Sequence, residues 1–326
     1  MAKSTPSILV FDIETVPDVA GLRRLHNLSE TLTDAQVVKQ VTDQRVAEGS
    51  SEFLPLYLQQ IVAISCVIRR STKEGLPQFK VGSLGHIGDD EKTIITAFYE
   101  LIEKYTPQLV SWNGSGFDLP VLHYRALLNR VAAPRYWEMG ESNDSDSKDF
   151  KWNNYINRYH MRHIDLMDVL AKHNGRANAP LDAMAKLCGF PGKMGMDGSQ
   201  VWPAYQAGQL EQIRQYCETD VVNTYLMYCR YQLLRGGVTQ AEHDESAQSI
   251  LITPDAGFAA HVRVRAAQLA AGPAVAYRGV KAMLRASFGH DLDAQLALEA
   301  RLQGACGQTE DFREGVAAFL EKRPAR

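Results

Sequence analysis

An α/β fold, a sheet layered with helices and followed by a helical tail, is predicted by three features of the sequence. Short apolar runs with strand character stand at Ser7–Asp12 and Gln60–Arg70. Helix-period segments alternate with such runs as far as Leu234, the pattern of helices layered on a sheet. After Gly236-Gly237 the composition shifts, and from about Pro254 the chain is alanine-rich and helical in pattern throughout.

In chain order, Ser7-Ile-Leu-Val-Phe-Asp12 reads as a short buried strand ending in a carboxylate. Asn27 to Val46 is polar and helix-like, closed by Gly49-Ser50-Ser51. Gln60–Arg70 is a second strand, followed by a turn at Lys73-Glu74-Gly75 and a third strand near Phe79-Lys80-Val81. Asp89 or Asp90 caps a helix running to Tyr105, with Glu91 in its first turn. Gln108–Trp112 is again a strand and Leu119–Asn129 a helix. Met139–Asn157 is polar and irregular, which predicts a long surface loop or insertion. Pro180–Cys188 and Leu210–Leu234 are helices. Gly272-Pro273, Gly289-His290 and Gly304–Gln308 divide the tail into four helices. The predicted division is a domain over 1–245 and a tail over 246–326.

A chain of 326 residues can bury one large core, or a core and an appendage. No apolar run reaches the roughly 18 residues of a membrane span, and the polar start shows no secretory signal, so a cytoplasmic location is expected. The five scattered cysteines, without a C-x-x-C pair, give no support to a disulfide framework or a zinc ribbon. A net charge of −3 supplies no global attraction to nucleic acid, but local patches and bound cations act independently of it.

Chemistry is concentrated in acidic residues. In an extended chain residues i and i+2 share a face, so Asp12 and Glu14 point together; two adjacent like charges call for a cation, though turn carboxylates capping the next segment would look alike. Asp118 ends Ser111-Trp-Asn-Gly-Ser-Gly-Phe-Asp118 where a helix begins, and an Asp before Leu-Pro also reads as an ordinary N-cap. Tyr216 and Asp220, four apart in a helix, share a face, where a phenol can orient water beside a carboxylate. Taken alone they read rather as a half-buried tyrosine and a solvated acid. Together the ordered set supplies four carboxylates, enough for two hard divalent ions, Mg²⁺ or Mn²⁺.

With these motifs the sequence resembles the 3′→5′ exonucleases related to the proofreading domain of family B DNA polymerases, within the DEDD superfamily. The resemblance covers about Ser7–Arg235 and includes Leu9–Thr15, Trp112–Leu122, His163-Ile-Asp-Leu-Met-Asp168 and Gly192-Lys-Met-Gly-Met-Asp-Gly198. It implies an RNase H-like fold and the Tyr subtype, since Gln215 stands where the His subtype has histidine. It also implies two-metal phosphodiester hydrolysis, with Asp12 bridging, Glu14 and Asp220 on the nucleophile side, Asp118 at the second ion and Tyr216 orienting water.

The implied substrate is single-stranded nucleic acid or its 3′ end, DNA favoured and RNA open. Asn113 and Phe117 lie beside Asp118 and are candidates for contact with the terminal nucleotide. Lys151, Tyr155 and Arg158 belong to an aromatic and basic stretch suited to stacking and phosphate binding, or alternatively to packing an insertion onto the core. His160 and His163 have no thiolate partners nearby and read as surface or core histidines.

From about Arg263 the chain resembles the C-terminal helices of enoyl-CoA hydratases, the crotonase family, most specifically over Thr309-Glu-Asp-Phe-Arg-Glu-Gly-Val-Ala-Ala-Phe-Leu-Glu-Lys-Arg323. The oxyanion-hole segments and catalytic glutamates of that family lie upstream of those helices, and here the acidic motifs occupy that space. The tail is therefore expected to carry no chemistry, and Leu284, Leu296 and Phe319 offer apolar positions for packing or self-association. Three readings follow: an exonuclease, a catalytically silent nucleic-acid-binding module, and an acyl-CoA enzyme fragment.

Overall fold

A computed structural model describes residues 7–71, 77–141, 145–193, 195–252, 273–286 and 291–323. Its first unit, Met1–Thr253, is built on a five-stranded mixed sheet of order β3-β2-β1-β4-β5. The strands are β1 (Ile8–Pro17), β2 (Gln59–Ser71), β3 (Pro77–Ser83), β4 (Gln108–Ser111) and β5 (His163–Asp165). β1–β2 and β2–β3 pair antiparallel; β1–β4 and β4–β5 pair parallel.

Helices cover both faces: α1 (Val19–His26), α2 (Asp34–Ala47), α3 (Glu91–Tyr105), α4 (Asp118–Asn129), α5 (Ser145–Lys148), α6 (Leu166–Leu170), α7 (Leu181–Leu187), α8 (Val201–Gln206), α9 (Leu210–Leu234) and α10 (Gln240–Ile252). β1 shows why both faces are needed. Its odd residues Leu9, Phe11 and Ile13 are buried with Ile95, Phe98 and Ile102 of α3 and Leu122 of α4. Its even residues Ile8 and Val10 are buried with Val221, Tyr225 and Leu226 of α9. A strand covered on both sides reads as a continuous apolar run rather than an alternating one.

β1 extends to Pro17, beyond the expected end at Asp12, with a register shift between Glu14 and Thr15 against β2. The polar stretch from Asn27 is broken by the left-handed Asn27 after α1 and restarted by a capping box at Thr33 and Gln36 ahead of α2. Asp90 caps α3 by accepting from the Thr93 N–H.

For Met139–Asn157, expected as a surface loop or an insertion, the described part is an insertion packed onto the core. Within its described part Phe150 and Tyr155 are buried, Tyr155 stacks on Tyr136, and the Arg162 guanidinium lies 3.9 Å over the Phe150 ring. Polar composition hid this because a few aromatics anchor an otherwise hydrophilic segment.

The sequence-based division after 245 falls inside α10, whose Ala247 packs against the cluster of Val221, Tyr225 and Tyr228. The second unit, Pro254–Arg326, contains helices Ala274–Ala286, Leu292–Gly307 and Glu310–Glu321. Within it Gln295 donates to the Met283 carbonyl and Arg323 pairs with Glu314. Leu296 and Phe319 are exposed; the first of the four expected helices and the Leu284 side chain lie outside the described residues. No helix among the described residues is long and apolar enough to cross a membrane.

Candidate active site

Strand alternation delivers the first two acids. Asp12 and Glu14 continue the even face of β1, which is turned toward α9. Val16, next on that face, is buried with Ile213 and Tyr216 of α9.

Asp118 arrives over the edge of the sheet. β4 pairs with β1 only at Ile8–Val10, so beyond that point β1 runs on without a strand partner on this side. The Ile13 N–H there donates 3.1 Å to Asp118 Oδ1, at the first turn of α4. A carboxylate thus satisfies a buried amide that the sheet leaves over.

The loop carrying Asp118 is fixed by another acid. Asp165, at the end of β5, accepts from the Asn113 and Ser115 amides, each at 2.9 Å, and from the first turn of α6. Asn113 adopts φ +68°, which asparagine tolerates. A Cβ on Gly114 would stand 2.2 Å from Ser111 Oγ, so only glycine fits there. His163 completes the support through a 2.8 Å hydrogen bond to Ser111 Oγ.

α9 contributes Tyr216, Cys217 and Asp220, all buried. Asp220 Oδ1 has no hydrogen-bond partner among the described residues, although the residue is only 6% exposed. Lys193 was not anticipated. Its ammonium donates a short hydrogen bond to the Tyr216 hydroxyl and lies 3.6 Å from Asp220 Oδ2. The loop holding it is clamped: Asn223 of α9 both accepts from and donates to the Gly192 backbone, and Asp182 accepts from the Lys193 N–H at 2.7 Å. Gly192-Lys193 stood in the sequence as a glycine-turn lysine, with no spacing that links it to the acids.

Electrostatics mark the cluster as strained without a cation. Burial, then the charges of Asp118, Glu14 and Asp220, push the Asp12 carboxyl well above its usual range, opposed by Lys193. Burial and then Asp220 do the same to Glu14. Burial pushes Asp118 up to about 7 and also raises Asp220, the latter against the pull of Lys193 and Tyr216. Burial raises the Tyr216 phenol too, so it remains an O–H donor. One ligand atom each from Asp12, Glu14 and Cys217 lie within 4.8 Å of one another. The four mutually repelling carboxylates, with Asp220 Oδ1 buried and unpartnered among the described residues, fit hard divalent cations.

The sequence matches, over residues 51–256, the family described as predicted 3′-5′ exonucleases related to the exonuclease domain of PolB. The chain belongs to this family. Asp118, Lys193, Tyr216 and Asp220 of the exonuclease-related chain fall inside the match; Asp12 and Glu14 precede it. Residues 246–326 match the enoyl-CoA hydratase/isomerase family. A protein from Rhodobacter capsulatus named as a probable enoyl-CoA hydratase is 56% identical over 84 residues, 25% of this chain. The chain spans about a third (33%) of the length of that relative.

The residues expected to touch substrate are only partly brought together. Asn113, Tyr155 and Arg158 line one cavity of about 520 Å³. Tyr155 is a correction: it is 3% exposed and its hydroxyl donates 2.6 Å to the Pro107 carbonyl, so its ring is spent on the core rather than on a base. Arg158 is exposed and paired with Asp168 at 2.6 Å. Lys151 is exposed beside the outward-facing Trp152, away from that cavity's lining. Phe117 is half-buried, its ring 6.0 Å from the exposed Phe53.

The Tyr216 hydroxyl is held by Lys193 beside Asp220, and a role in orienting water rather than in binding an ion is the expectation to test. Tyr216→Phe is expected to lower turnover tens to thousands-fold while calorimetric Mn²⁺ affinity stays nearly constant. Equal loss of both would make the tyrosine a structural element.

Proposed function

We propose that the first unit is a metal-dependent 3′→5′ exonuclease that hydrolyses nucleic-acid phosphodiester bonds from the 3′ end, with single-stranded DNA as the favoured substrate. The observation that supports this reading is that Glu14 from β1, Asp118 from α4 and Asp220 from α9 all lie close enough to push the Asp12 carboxyl up, while the buried Asp220 Oδ1 has no partner among the described residues. Two Mg²⁺ or Mn²⁺ ions held by these four acids would supply Lewis-acid activation of water and of the phosphoryl group.

The chain's own groups divide the remaining work. The Tyr216 O–H, fixed by Lys193, orients the attacking water, and the Lys193 ammonium adds positive charge where a phosphate would enter. Phe117, exposed in part beside Asp118, is suited to stack on the terminal base, with Asn113 next to it. Lys151 and Arg158 supply exposed cations for phosphates further along the strand.

A 5′-labelled DNA oligonucleotide and its RNA counterpart, with and without Mg²⁺ or Mn²⁺, test the reading. Stepwise release of mononucleotides from the 3′ end, abolished by chelation, is expected. Binding without cleavage at any metal concentration would favour the silent nucleic-acid-binding module.

The match to enoyl-CoA hydratases favours a second reading, acyl-CoA chemistry, but it is confined to the tail. Crotonyl-CoA hydration by the full chain is expected to be absent. Because α10 packs on α9, the fragment for a truncation test ends at Thr253 rather than at Glu245. Residues 1–253 are expected to keep the nuclease rate of the full chain, measured together with solution mass. An inactive or insoluble fragment would make the tail integral to the nuclease. Change of mass between the two would assign the tail a role in self-association.

A further inference from the structure

Cys217 has no part in hydrolysis as described, yet its thiol sits among the acids. It is fully buried, donates 3.4 Å to the Asp12 carbonyl, and lies 3.7 Å from Asp12 Oδ2. In a tetrahedral zinc site, bond lengths of about 2.3 Å to sulfur and about 2.1 Å to oxygen set the S···O edge at about 3.6 Å. The Cys217–Asp12 separation therefore already matches a coordination edge, and Glu14 offers a third atom within 4.8 Å of both. Independently, Asp220 lies three residues on from Cys217, on the same helix face, with its buried Oδ1 unpartnered.

We propose that Asp12, Glu14 and the Cys217 thiolate, joined by Asp220 on a shift of its side chain, form an alternative site for a thiophilic divalent ion such as zinc, and that its occupation arrests the enzyme. Magnesium and manganese prefer oxygen and leave the thiol as a small packed side chain; zinc takes sulfur and binds nitrogen, oxygen and sulfur sites more tightly than manganese. As the S–Zn bond forms, the thiol proton passes to the buffer. Asp12 and Glu14 are then committed to a closed tetrahedral site and withdrawn from the oxygen-only arrangement. The coordination stands on the geometry alone; the inhibitory consequence rests on the nuclease reading.

The test uses the full chain and Co²⁺ as a spectroscopic stand-in for zinc. A near-ultraviolet thiolate-to-cobalt charge-transfer band is expected in the wild type, removed by added Zn²⁺, and absent from Cys217→Ser and Asp12→Asn. Cys66, Cys188, Cys229 and Cys306 are retained in all of them, so they serve as internal controls. Cys217→Ala repeats the comparison if the serine variant folds poorly. In Mg²⁺-supported hydrolysis, each variant normalised to its own zinc-free rate, half-inhibition is expected to need about ten- to a hundredfold more Zn²⁺ in Cys217→Ser. A band that persists without Cys217, or its absence in a wild type that binds Co²⁺ calorimetrically, overturns the coordination. Zinc inhibition that is unchanged by the substitution overturns the arrest through this site. A band of the expected pattern in a chain that cleaves nothing with Mg²⁺ or Mn²⁺ sustains the site and overturns the nuclease reading instead.

Discussion

Asp12→Asn is expected to reduce hydrolysis by on the order of 10³-fold or more and, in metal-free buffer at pH 7, to raise the midpoint of thermal unfolding by several degrees. The first effect follows from removing the carboxylate that stands between Glu14, Asp118 and Cys217 and has no substitute nearby. The second follows from the same crowding. A carboxyl whose native pKa lies above its unfolded value binds its proton more tightly in the folded chain. Its contribution to stability is complete below about pH 4 and is lost as pH rises through the native value, which for Asp118 is about 7. The metal-free protein should accordingly melt lower at pH 7 than at pH 5, and Asn at position 12 removes part of that cost. Saturating Mn²⁺ should reverse the ranking, because only the wild type gains the full binding free energy. Melting curves of both proteins at pH 5 and 7, with and without Mn²⁺, check this. A variant that is inactive and also less stable without metal would show Asp12 to be a packing residue.

The largest expected loss of stability comes from Arg125 on α4. Its guanidinium holds Glu91 through both carboxylate oxygens, at 2.7 and 2.6 Å, and reaches Asp18 at 2.5 Å. All three are buried, and Glu91 also accepts from the Ile61 N–H. Arg125→Met leaves two buried acids without their counter-ion, a change that costs about 3–5 kcal/mol, or on the order of 10 °C in a unit of this size. Adding Glu91→Gln should recover part of the loss by removing one of the stranded charges. Urea denaturation of the single and double variants measures both. A single-variant loss under about 1 kcal/mol would mean that water reaches the network and screens it.

Elements defined by local periodicity were legible in the sequence. Leu210–Leu234 and the Asp90-capped helix stand where their patterns put them, and three of the four candidate acids could be picked out locally, Asp12 and Glu14 by strand spacing and Asp220 by helix spacing from Tyr216. Supports made by long-range contact were not legible. Asp165 reads as one acid among many until β5 aligns beside β4 and its oxygens meet the Asn113 and Ser115 amides. Lys193 acquires meaning only when Asn223 and Asp182 fold its loop over α9. Tyr155 misled for the complementary reason: aromatic and basic neighbours suit a nucleic-acid surface and a packed insertion equally, and only the Pro107 carbonyl decides between them. The expected boundary at 245 falls within α10, whose polar N-terminal half conceals a helix that continues to Ile252.

The hydrogen bond from Ile13 to Asp118 has a consequence for how such a site can decay. Asp12 and Glu14 project from a strand whose own pairing does not need their side chains, so a lineage that gave up catalysis could replace them freely. Asp118 is different, because it stands in for the missing β4 partner of a buried amide. A residue without an acceptor oxygen would strand that N–H at a cost of about 1–3 kcal/mol. Inactive descendants of this fold should therefore retain Asp or Asn at this position long after the other acids have drifted, so that its survival alone is a poor sign of a working enzyme.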